Sequence, residues 1–245
     1  MKNIELPFVR EMFEQIAPRY DLLNRLLSCR QDVCWRRMMV SEIKVPACGL
    51  LLDVACGTGD VALEIIRQKG SSVKVYGIDF STSMLMLARD KIRDMHAGSN
   101  IHLLSGNALN LPFKAKTFDA LTIAFGIRNI VDKLSALQVF YRTLTSNGMI
   151  LVLELAFPKK GLLPAFYHLY FRKILPVIGQ LFSKNLKAYQ YLPCSVESFP
   201  DTYSFAATMR KAGFQDVRWK KLALGIAILY VGYKRKPLKK PYMLK

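Results

Sequence analysis

Residues 51–60 read LLDVACGTGD, an apolar run that ends in an acid and leads into two glycines. Extended to Ala62, the loop reads G-T-G-D-V-A and satisfies the fingerprint G-x-G-x-x-G/A. A glycine loop between a strand and a helix brings backbone N–H groups close to a ligand. The loop alone leaves open whether that ligand is a pyrophosphate-bearing dinucleotide or another cofactor.

The sequence around this loop alternates between strand and helix patterns. Strands are predicted at residues 50–54, 73–78, 101–104, 118–124 and 149–153, with helices between them. The helix that precedes the fifth strand is expected to end at the Asn147-Gly148 pair. Near the C-terminus, a helix at 203–212 precedes two strands, 217–222 and 226–233, that are expected to form a hairpin. This order predicts a doubly wound parallel sheet that binds ligands at the carboxyl ends of its strands.

The 245 residues are expected to form one domain over residues 1–233, followed by a basic tail at 234–245. Within the domain, residues of about 8–45 read as an N-terminal helical lid, and about 156–200 as an insertion on the substrate side. The most apolar long window, 161–182, is interrupted by charges and two prolines, so no membrane span is expected. No signal peptide is evident at the N-terminus.

The charge balance is strongly basic, with 36 Lys and Arg against 18 Asp and Glu and a net charge of +18. Such an excess favours an anionic partner, either nucleic acid or a lipid surface. The five cysteines form no C-x-x-C pair, which is typical of a reduced cytosolic protein. The three histidines lie far apart in the sequence, so no metal site is expected.

The acids near the glycine loop indicate which cofactor it holds. Asp53 ends the strand and Asp60 opens the following helix, and two carboxylates would repel a pyrophosphate. They would instead favour the sulfonium and ammonium groups of S-adenosylmethionine. Asp79 suits a ribose diol, and Asn107-Ala108 could bind the adenine edge and ring face. Singly, Asp60 could be a helix cap and Asn107 a turn residue, but the ordered set predicts S-adenosylmethionine.

Longer motifs point to a particular family. They include FEQIAPRYDLLNRLLS, WRR at 35–37, LDVACGTGD, GIDFSTSML, GNALNLPF, TFDALTIAFGIRN, YLPCSVESFP and MRKAGF. The chain resembles the ubiquinone/menaquinone biosynthesis C-methyltransferases over nearly its whole length except the basic tail. It departs from their pattern at Arg30, where the family usually has glycine, at TSNG (145–148) in place of Lys-Pro-Gly-Gly, and at Glu-Leu-Ala (154–156) in place of Glu-Phe-Ser.

The resemblance implies an α/β fold, the class I S-adenosylmethionine-dependent methyltransferase fold. That fold is Rossmann-like, with a doubly wound seven-stranded sheet, N-terminal helices and a helical insertion after strand five. The resemblance also implies C-methylation of a reduced polyprenyl quinone precursor in respiratory quinone biosynthesis, either demethylmenaquinol or 2-methoxy-6-polyprenyl-1,4-benzoquinol or both. The implied cofactor-binding residues lie in the loops after the strands: Asp53, Gly57, Thr58, Gly59, Asp79, Asn107 and Ala108.

Methylation of a ring carbon needs an electron-rich nucleophile, ideally a quinol in its phenolate form, held close to the methyl group. Arg128 follows the fourth strand, where a guanidinium would stabilise a phenolate, and Asn129 could hold the second oxygen. The resemblance implies the same catalytic pair, with Arg128 acting through a bound water. Because arginine stays protonated, His168 and Tyr20 are alternative proton acceptors. The plainer alternatives are a structural ion pair for Arg128 and an interfacial filler for His168.

The insertion at about 156–200 has an amino-acid composition suited to a hydrophobic substrate. From Leu155 to Val196 the sequence contains no Asp or Glu, and its basic residues are interleaved with aromatic ones. This composition favours a pocket for a polyprenyl tail lying against anionic lipid, although an ordinary amphipathic lid would fit as well. The expected partners are a polyprenyl hydroquinone and an anionic membrane surface on the cytoplasmic side. A homodimer is compatible with the sequence, and no nucleic-acid partner is expected.

Two other classes of function compete with this hypothesis. An RNA methyltransferase would also suit the charge of +18, and Leu192-Pro193-Cys194-Ser195 resembles the Pro-Cys of RNA cytosine-C5 enzymes. That motif falls in the insertion, however, and FGIRN stands where adenine-N6 enzymes carry Asn/Asp-Pro-Pro-aromatic. A non-enzymatic quinone-binding or scaffold protein is the third possibility, and it requires Asp79 and Arg128 to be dispensable.

Overall fold

The computed structural model describes residues 6–157 and 186–235, and these form a sheet of seven strands in the order β3-β2-β1-β4-β5-β7-β6. The strands are β1 (Leu50–Val54), β2 (Lys74–Asp79), β3 (Ile101–Ser105), β4 (Phe118–Ala124), β5 (Leu144–Leu155), β6 (Gln215–Leu222) and β7 (Ala227–Tyr233). β1 to β5 pair in parallel, and β7 runs antiparallel to both β5 and β6. The predicted doubly wound sheet and its C-terminal hairpin are confirmed.

The described helices cover both faces of the sheet. They are α1 (Leu6–Ile16), α2 (Tyr20–Leu27), α3 (Gln31–Ser41), α4 (Asp60–Lys69), α5 (Thr82–Asp94), α6 (Lys133–Thr143), α7 (Leu186–Glu197) and α8 (Thr202–Lys211). Side chains of α6 and α8 join the core on one face, and side chains of α3, α4 and α5 join it on the other. Because both faces are covered, the central strands β1 and β4 are buried along most of their length and do not alternate between buried and exposed residues.

The N-terminal helical region predicted at 8–45 is divided into three helices. A 3-10 turn at Ala17–Arg19 separates α1 from α2, and residues 28–30 separate α2 from α3. In that second break, Cys29 and Arg30 have φ values of 49° and 62°, in the left-handed region that glycine adopts most easily. Arg30 occupies the position where the resembling family usually has glycine, so the geometry accounts for that preference.

The predicted end of the helix before β5 is wrong. The helix α6 ends at Thr143, and Leu144 already belongs to β5, where it pairs with Phe118. Asn147 has a φ of 71° and its N–H donates to the carbonyl of Lys234, so the Asn-Gly pair forms an irregularity within the strand. Lys234 Nζ in turn donates to the carbonyls of Tyr141 and Leu144, which satisfies the end of the helix.

Three sequence predictions fall wholly or partly outside the described residues. The insertion at about 156–200 is described only at its two ends, and His168 and most of the basic tail lie beyond the described ranges. The division into one domain over 1–233 and a tail therefore stays a prediction. Within residues 6–157 and 186–235, none of the helices combines the length and apolar character that a membrane-spanning segment requires.

Candidate active site

The loop after β1 turns sharply through residues in the left-handed region. Ala55, Gly57 and Gly59 have φ values of 52°, 52° and 81°. A Cβ atom added to Gly57 would meet nothing within 4 Å, so the backbone borders open space there. A Cβ atom on Gly59 would lie 3.2 Å from the Cβ of Ala88 on α5. Gly57 therefore permits a close approach by a ligand, whereas Gly59 permits the close packing of two helices.

Asp79 ends β2 beside this loop and is almost completely buried. Its Oδ2 accepts a hydrogen bond from the N–H of Gly57 at 2.8 Å, and its Oδ1 accepts one from the N–H of Ser81 at 2.9 Å. Burial raises the pKa of the carboxyl group although these N–H groups oppose the shift. Asp79 thus fixes the glycine loop against the start of α5, at the position expected to bind a ribose diol.

A cavity of about 60 Å³ lies between the carboxyl ends of the strands and the N-terminal helices. Its walls contain five of the residues predicted from the sequence: Gly57, Asp79, Asn107, Ala108 and Asn129. Val9 and Phe13 of α1 and Tyr20 of α2 also line the cavity. The N-terminal lid stays a prediction, and the structure shows that α1 and α2 contribute side chains to the cavity wall.

Asn107 makes the contact of a turn residue. Its Oδ1 accepts a hydrogen bond from the N–H of Leu109 at 2.9 Å, and it forms an isolated bridge with Asn110. The oxygen that was expected to accept from the adenine amine is therefore shared with the turn. Ala108 also lines the cavity, as expected of a small residue against a ring face.

Asp53 lies near the end of β1, is not among the residues that line the cavity, and is 1% exposed. Its Oδ1 accepts a hydrogen bond from Thr122 Oγ1 at 2.7 Å, whereas its Oδ2 has no partner among the described residues. Burial raises the pKa of this carboxyl group to about 7. An unpaired, buried carboxylate oxygen next to the glycine loop fits a cofactor that carries positive charge.

Thr58 faces the N-terminal helices rather than the cavity. Its hydroxyl donates to Asp21 Oδ1 at 2.7 Å and accepts from Lys91 Nζ at 3.0 Å. The side chain of Thr58 is buried, and neither it nor Gly59 contributes to the cavity wall. Thr58 and Gly59 therefore support the glycine loop without lining the cavity: Thr58 bonds to residues of α2 and α5, and Gly59 packs against α5.

Asp60 was expected to attract the positive charge of the cofactor, but in the structure it pairs with cations of the protein. Its carboxylate forms ion pairs with Lys91 at 2.6 Å, Arg25 at 3.3 Å and Arg36 at 3.7 Å. Burial alone would raise its pKa, but the three cations hold it below the ordinary value. Because protein cations already neutralise Asp60, its charge does not select a cationic cofactor. The sequence could not show this, since the cations come from three other helices.

Arg128 lies in a 3-10 turn, Ile127–Asn129, directly after β4, and its side chain is 8% exposed. Its Nη1 donates to Glu154 Oε1 at 2.7 Å, and its backbone N–H donates to Glu154 Oε2 at 3.1 Å. Burial lowers the pKa of the guanidinium, but Glu154 holds it above its ordinary value. Arg128 is therefore a permanent cation. It also forms an ion pair with Glu154, which is the structural role given as its alternative in the sequence analysis.

Asn129 and two tyrosines complete this end of the site. Asn129 lines the cavity, and its Oδ1 accepts a hydrogen bond from the hydroxyl of Tyr191 on α7 at 3.1 Å. Burial raises the pKa of Tyr20, against the opposing effect of Arg36 and Arg128, so its phenol stays protonated at neutral pH. Sequence reasoning missed Tyr191 and Glu154, although Glu154 ends β5 at the edge where ligands bind in such sheets.

The strand order, the glycine loop, the acid at the end of β2 and the cavity beside them define a class I S-adenosylmethionine-dependent methyltransferase. The fold is shared by a solved S-adenosylmethionine-dependent methyltransferase from Thermotoga maritima, with a TM-score of 0.63 and 20% identity over 92% of this chain and 99% of that one. A model of the ubiE/COQ5 methyltransferase family matches residues 1–234, and the chain belongs to that family.

Named relatives match along most of the chain. One is the "Ubiquinone/menaquinone biosynthesis C-methyltransferase UbiE" of Geotalea daltonii, 47% identical over 92% of this chain and 96% of the relative. Another is the "Demethylmenaquinone methyltransferase" of Thermus thermophilus, 45% identical over 90% of this chain and 99% of the relative. The predicted family, the methyltransferase class and the cofactor S-adenosylmethionine are confirmed.

Proposed function

We propose that this enzyme methylates a ring carbon of a reduced polyprenyl quinone precursor, demethylmenaquinol or 2-methoxy-6-polyprenyl-1,4-benzoquinol or both. The observation that carries the proposal is the family match over residues 1–234, together with relatives at 45–48% identity that are named for ubiquinone/menaquinone biosynthesis or as a demethylmenaquinone methyltransferase. These names disfavour the RNA methyltransferase alternative, for which the basic charge was the main support.

The cofactor would be held by the residues that border the cavity. Gly57 leaves room for close backbone contact, Asp79 would bind the ribose, and Ala108 is small enough to lie against the adenine. Asp53 carries the buried oxygen that would face the positive charge at the methionine end. Bound S-adenosylmethionine supplies an electrophilic methyl group, and the protein must bring an electron-rich ring carbon in line with it.

Arg128 and Asn129 are the proposed catalytic residues. A fixed cation in a site shielded from water lowers the pKa of a neighbouring phenol and stabilises its phenolate. Arg128 is such a cation, although its own side chain does not line the cavity, and the neighbouring Asn129 presents an amide at the cavity wall. The protonated phenol of Tyr20 can donate a hydrogen bond to a substrate oxygen but is poorly suited to accept a proton.

We also propose that the protein binds peripherally to an anionic membrane surface on the cytoplasmic side. The net charge of +18 would attract such a surface, and the acid-free sequence from Leu155 to Val196 would suit a polyprenyl tail. Most of that sequence lies outside the described residues, so sedimentation with vesicles must test this proposal. We expect binding to anionic vesicles that weakens with salt and is absent with neutral vesicles.

The decisive test of function is methyl transfer from labelled S-adenosylmethionine to chemically reduced demethylmenaquinone and to its benzoquinol counterpart, with total RNA in parallel. Label in a quinone supports the proposal and identifies the ring, whereas label only in RNA refutes it. We expect Asp79→Ala to lose affinity for the cofactor, and Arg128→Ala to keep that affinity and lose turnover. Equal cofactor binding by Asp79→Ala and the unmodified enzyme would refute the assignment of the site.

A further inference from the structure

Glu154 is a buried carboxylate at the edge of the sheet where β4 and β5 end. It is 0% exposed and pairs in register with Ile228 of β7. Its Oε1 accepts hydrogen bonds from Arg128 Nη1 and from the N–H of Leu155 at 2.9 Å, and its Oε2 accepts from the N–H of Arg128. Replacing a buried ion pair by apolar residues often leaves the stability of a protein unchanged or raises it. Stability alone therefore does not explain why a glutamate occupies position 154.

These contacts fix both the main chain and the side chain of Arg128. The same carboxylate binds the backbone N–H and the guanidinium, so the side chain is held relative to its own turn. Arg128 Nη1 also donates to the carbonyl of Phe125, whose φ of 57° is unusual for an aromatic residue. A strained turn persists when several contacts determine it, and here Glu154 supplies two of them.

One buried donor of Arg128, its Nε–H, is unpaired among the described residues. A buried donor without a partner is costly, and an oxygen of a bound ligand would satisfy it. The phenols of Tyr20 and Tyr191 lie within electrostatic range of the guanidinium, and Tyr191 also donates to Asn129 beside it. Two phenol groups thus lie near Arg128, which follows β4 and adjoins the cavity through its neighbour Asn129.

We infer that Glu154 is a positioning residue: it holds Arg128 so that the unpaired Nε–H meets the phenolate oxygen of the substrate. The inference rests on the proposed function of Arg128. By its charge alone, Glu154 opposes phenolate formation, because it offsets the positive potential of the guanidinium. Its benefit is therefore geometric, since an electrostatic stabiliser acts only from a fixed position.

Charge and geometry predict opposite results when Glu154 is replaced. Glu154→Gln removes the opposing charge, but its amide cannot accept both hydrogen bonds from Arg128. We expect kcat to fall about 100-fold, as for a misplaced catalytic group, with KM for the quinol and Kd for the cofactor changed less than about twofold. Glu154→Asp keeps the charge but is one methylene shorter, and we expect it to lose kcat as well while remaining folded.

The double variant Arg128→Lys/Glu154→Gln tests whether Glu154 acts through Arg128. If it does, the second substitution costs little once Arg128 has been replaced, and the effects on kcat are not additive. The matched control is Glu42→Gln, which breaks the exposed ion pair with Arg218 at 3.2 Å and should leave kcat unchanged. Additive losses in the double variant, or full kcat in both Glu154 variants at a temperature where they are folded, would overturn the inference.

An NMR measurement tests the positioning without turnover. In the unmodified enzyme, the buried Nε–H of Arg128 should give a sharp, slowly exchanging signal that disappears in Arg128→Lys. We expect this signal to broaden or vanish in Glu154→Gln and to persist in Glu42→Gln. An unchanged signal in Glu154→Gln would refute the positioning. If the unmodified enzyme methylates no quinol, the proposed function fails, and this signal still shows whether Glu154 holds Arg128.

Discussion

Replacing Asp53 by asparagine should stabilise the protein and weaken its cofactor binding at the same time. Asp53 is 1% exposed, and burial raises the pKa of its carboxyl group from 3.8 to about 7. The folded state therefore holds this proton more tightly than the unfolded state. The resulting stability is fully present below pH 3.8 and is lost as the pH rises through about 7. At about 1.4 kcal/mol per pH unit, the ionised carboxylate costs up to about 4 kcal/mol.

Asparagine at position 53 keeps an oxygen that can accept from Thr122 Oγ1, but it has no charge to bury. In urea unfolding, we expect Asp53→Asn to be more stable than the unmodified protein at about pH 8, and the difference to shrink by about 3 kcal/mol at about pH 5. Asp90→Asn, on the exposed side of α5, is the matched control and should show no such change. Parallel pH dependence in Asp53→Asn and the unmodified protein would refute the reasoning.

Folding is favoured when Asp53 is uncharged, whereas cofactor binding should be favoured when Asp53 is ionised. A cation close to Oδ2 stabilises the carboxylate, so binding releases a proton and the affinity of the unmodified protein should fall below about pH 7. Calorimetry in two buffers of different ionisation enthalpy measures that proton. Asp53→Asn should bind more weakly at about pH 8 and release no proton. Proton release that is unchanged in Asp53→Asn would show that another group is responsible.

Three further substitutions test the surroundings of the site. Arg30→Gly should raise the unfolding free energy by about 0.5–1 kcal/mol, because glycine adopts a φ of 62° without strain; chemical denaturation measures it. Gly126→Ala should lower the unfolding free energy by about 1–3 kcal/mol, since a Cβ atom at position 126 would lie 2.7 Å from the Cβ of Ala55. A smaller loss of stability than in the exposed Gly98→Ala would contradict this expectation. Glu14→Gln should loosen α1, because Glu14 accepts from the N–H groups of Thr82 and Ser83; faster hydrogen exchange in α1 would confirm it.

The sequence predicted those parts of the fold that depend on local patterns. The strands 50–54 and 118–124 have the predicted bounds, and Ser81, a residue type that favours N-caps, caps α5, because apolar runs and cap residues are encoded within a few positions. The end of α6 was misplaced because Asn147-Gly148 has the chemistry of a helix stop and is here stabilised by pairing with Lys234, 87 positions further along. No local signal reports such a partner.

The same distinction holds for the site. The residues after the strands were predicted because the topology brings strand ends together, and Gly57, Asp79, Ala108 and Asn129 do line one cavity. The partner of each acid could not be predicted, since it depends on helices distant in sequence. Asp60 is neutralised by Arg25, Arg36 and Lys91, and none of these was identified.

The four acids around the site, of which Asp60 is partly exposed, differ in how their charge is balanced, and this difference separates their roles. Asp60 and Glu154 are paired with cations, and Asp79 is bound by backbone N–H groups. Asp53 keeps one oxygen without a partner among the described residues. A ligand cation gains little from carboxylates that the protein has already neutralised, and most from one that it has left unpaired. Asp53 is therefore the acid whose ionisation should be coupled to the positive charge of S-adenosylmethionine, whereas Glu154 should act only through Arg128.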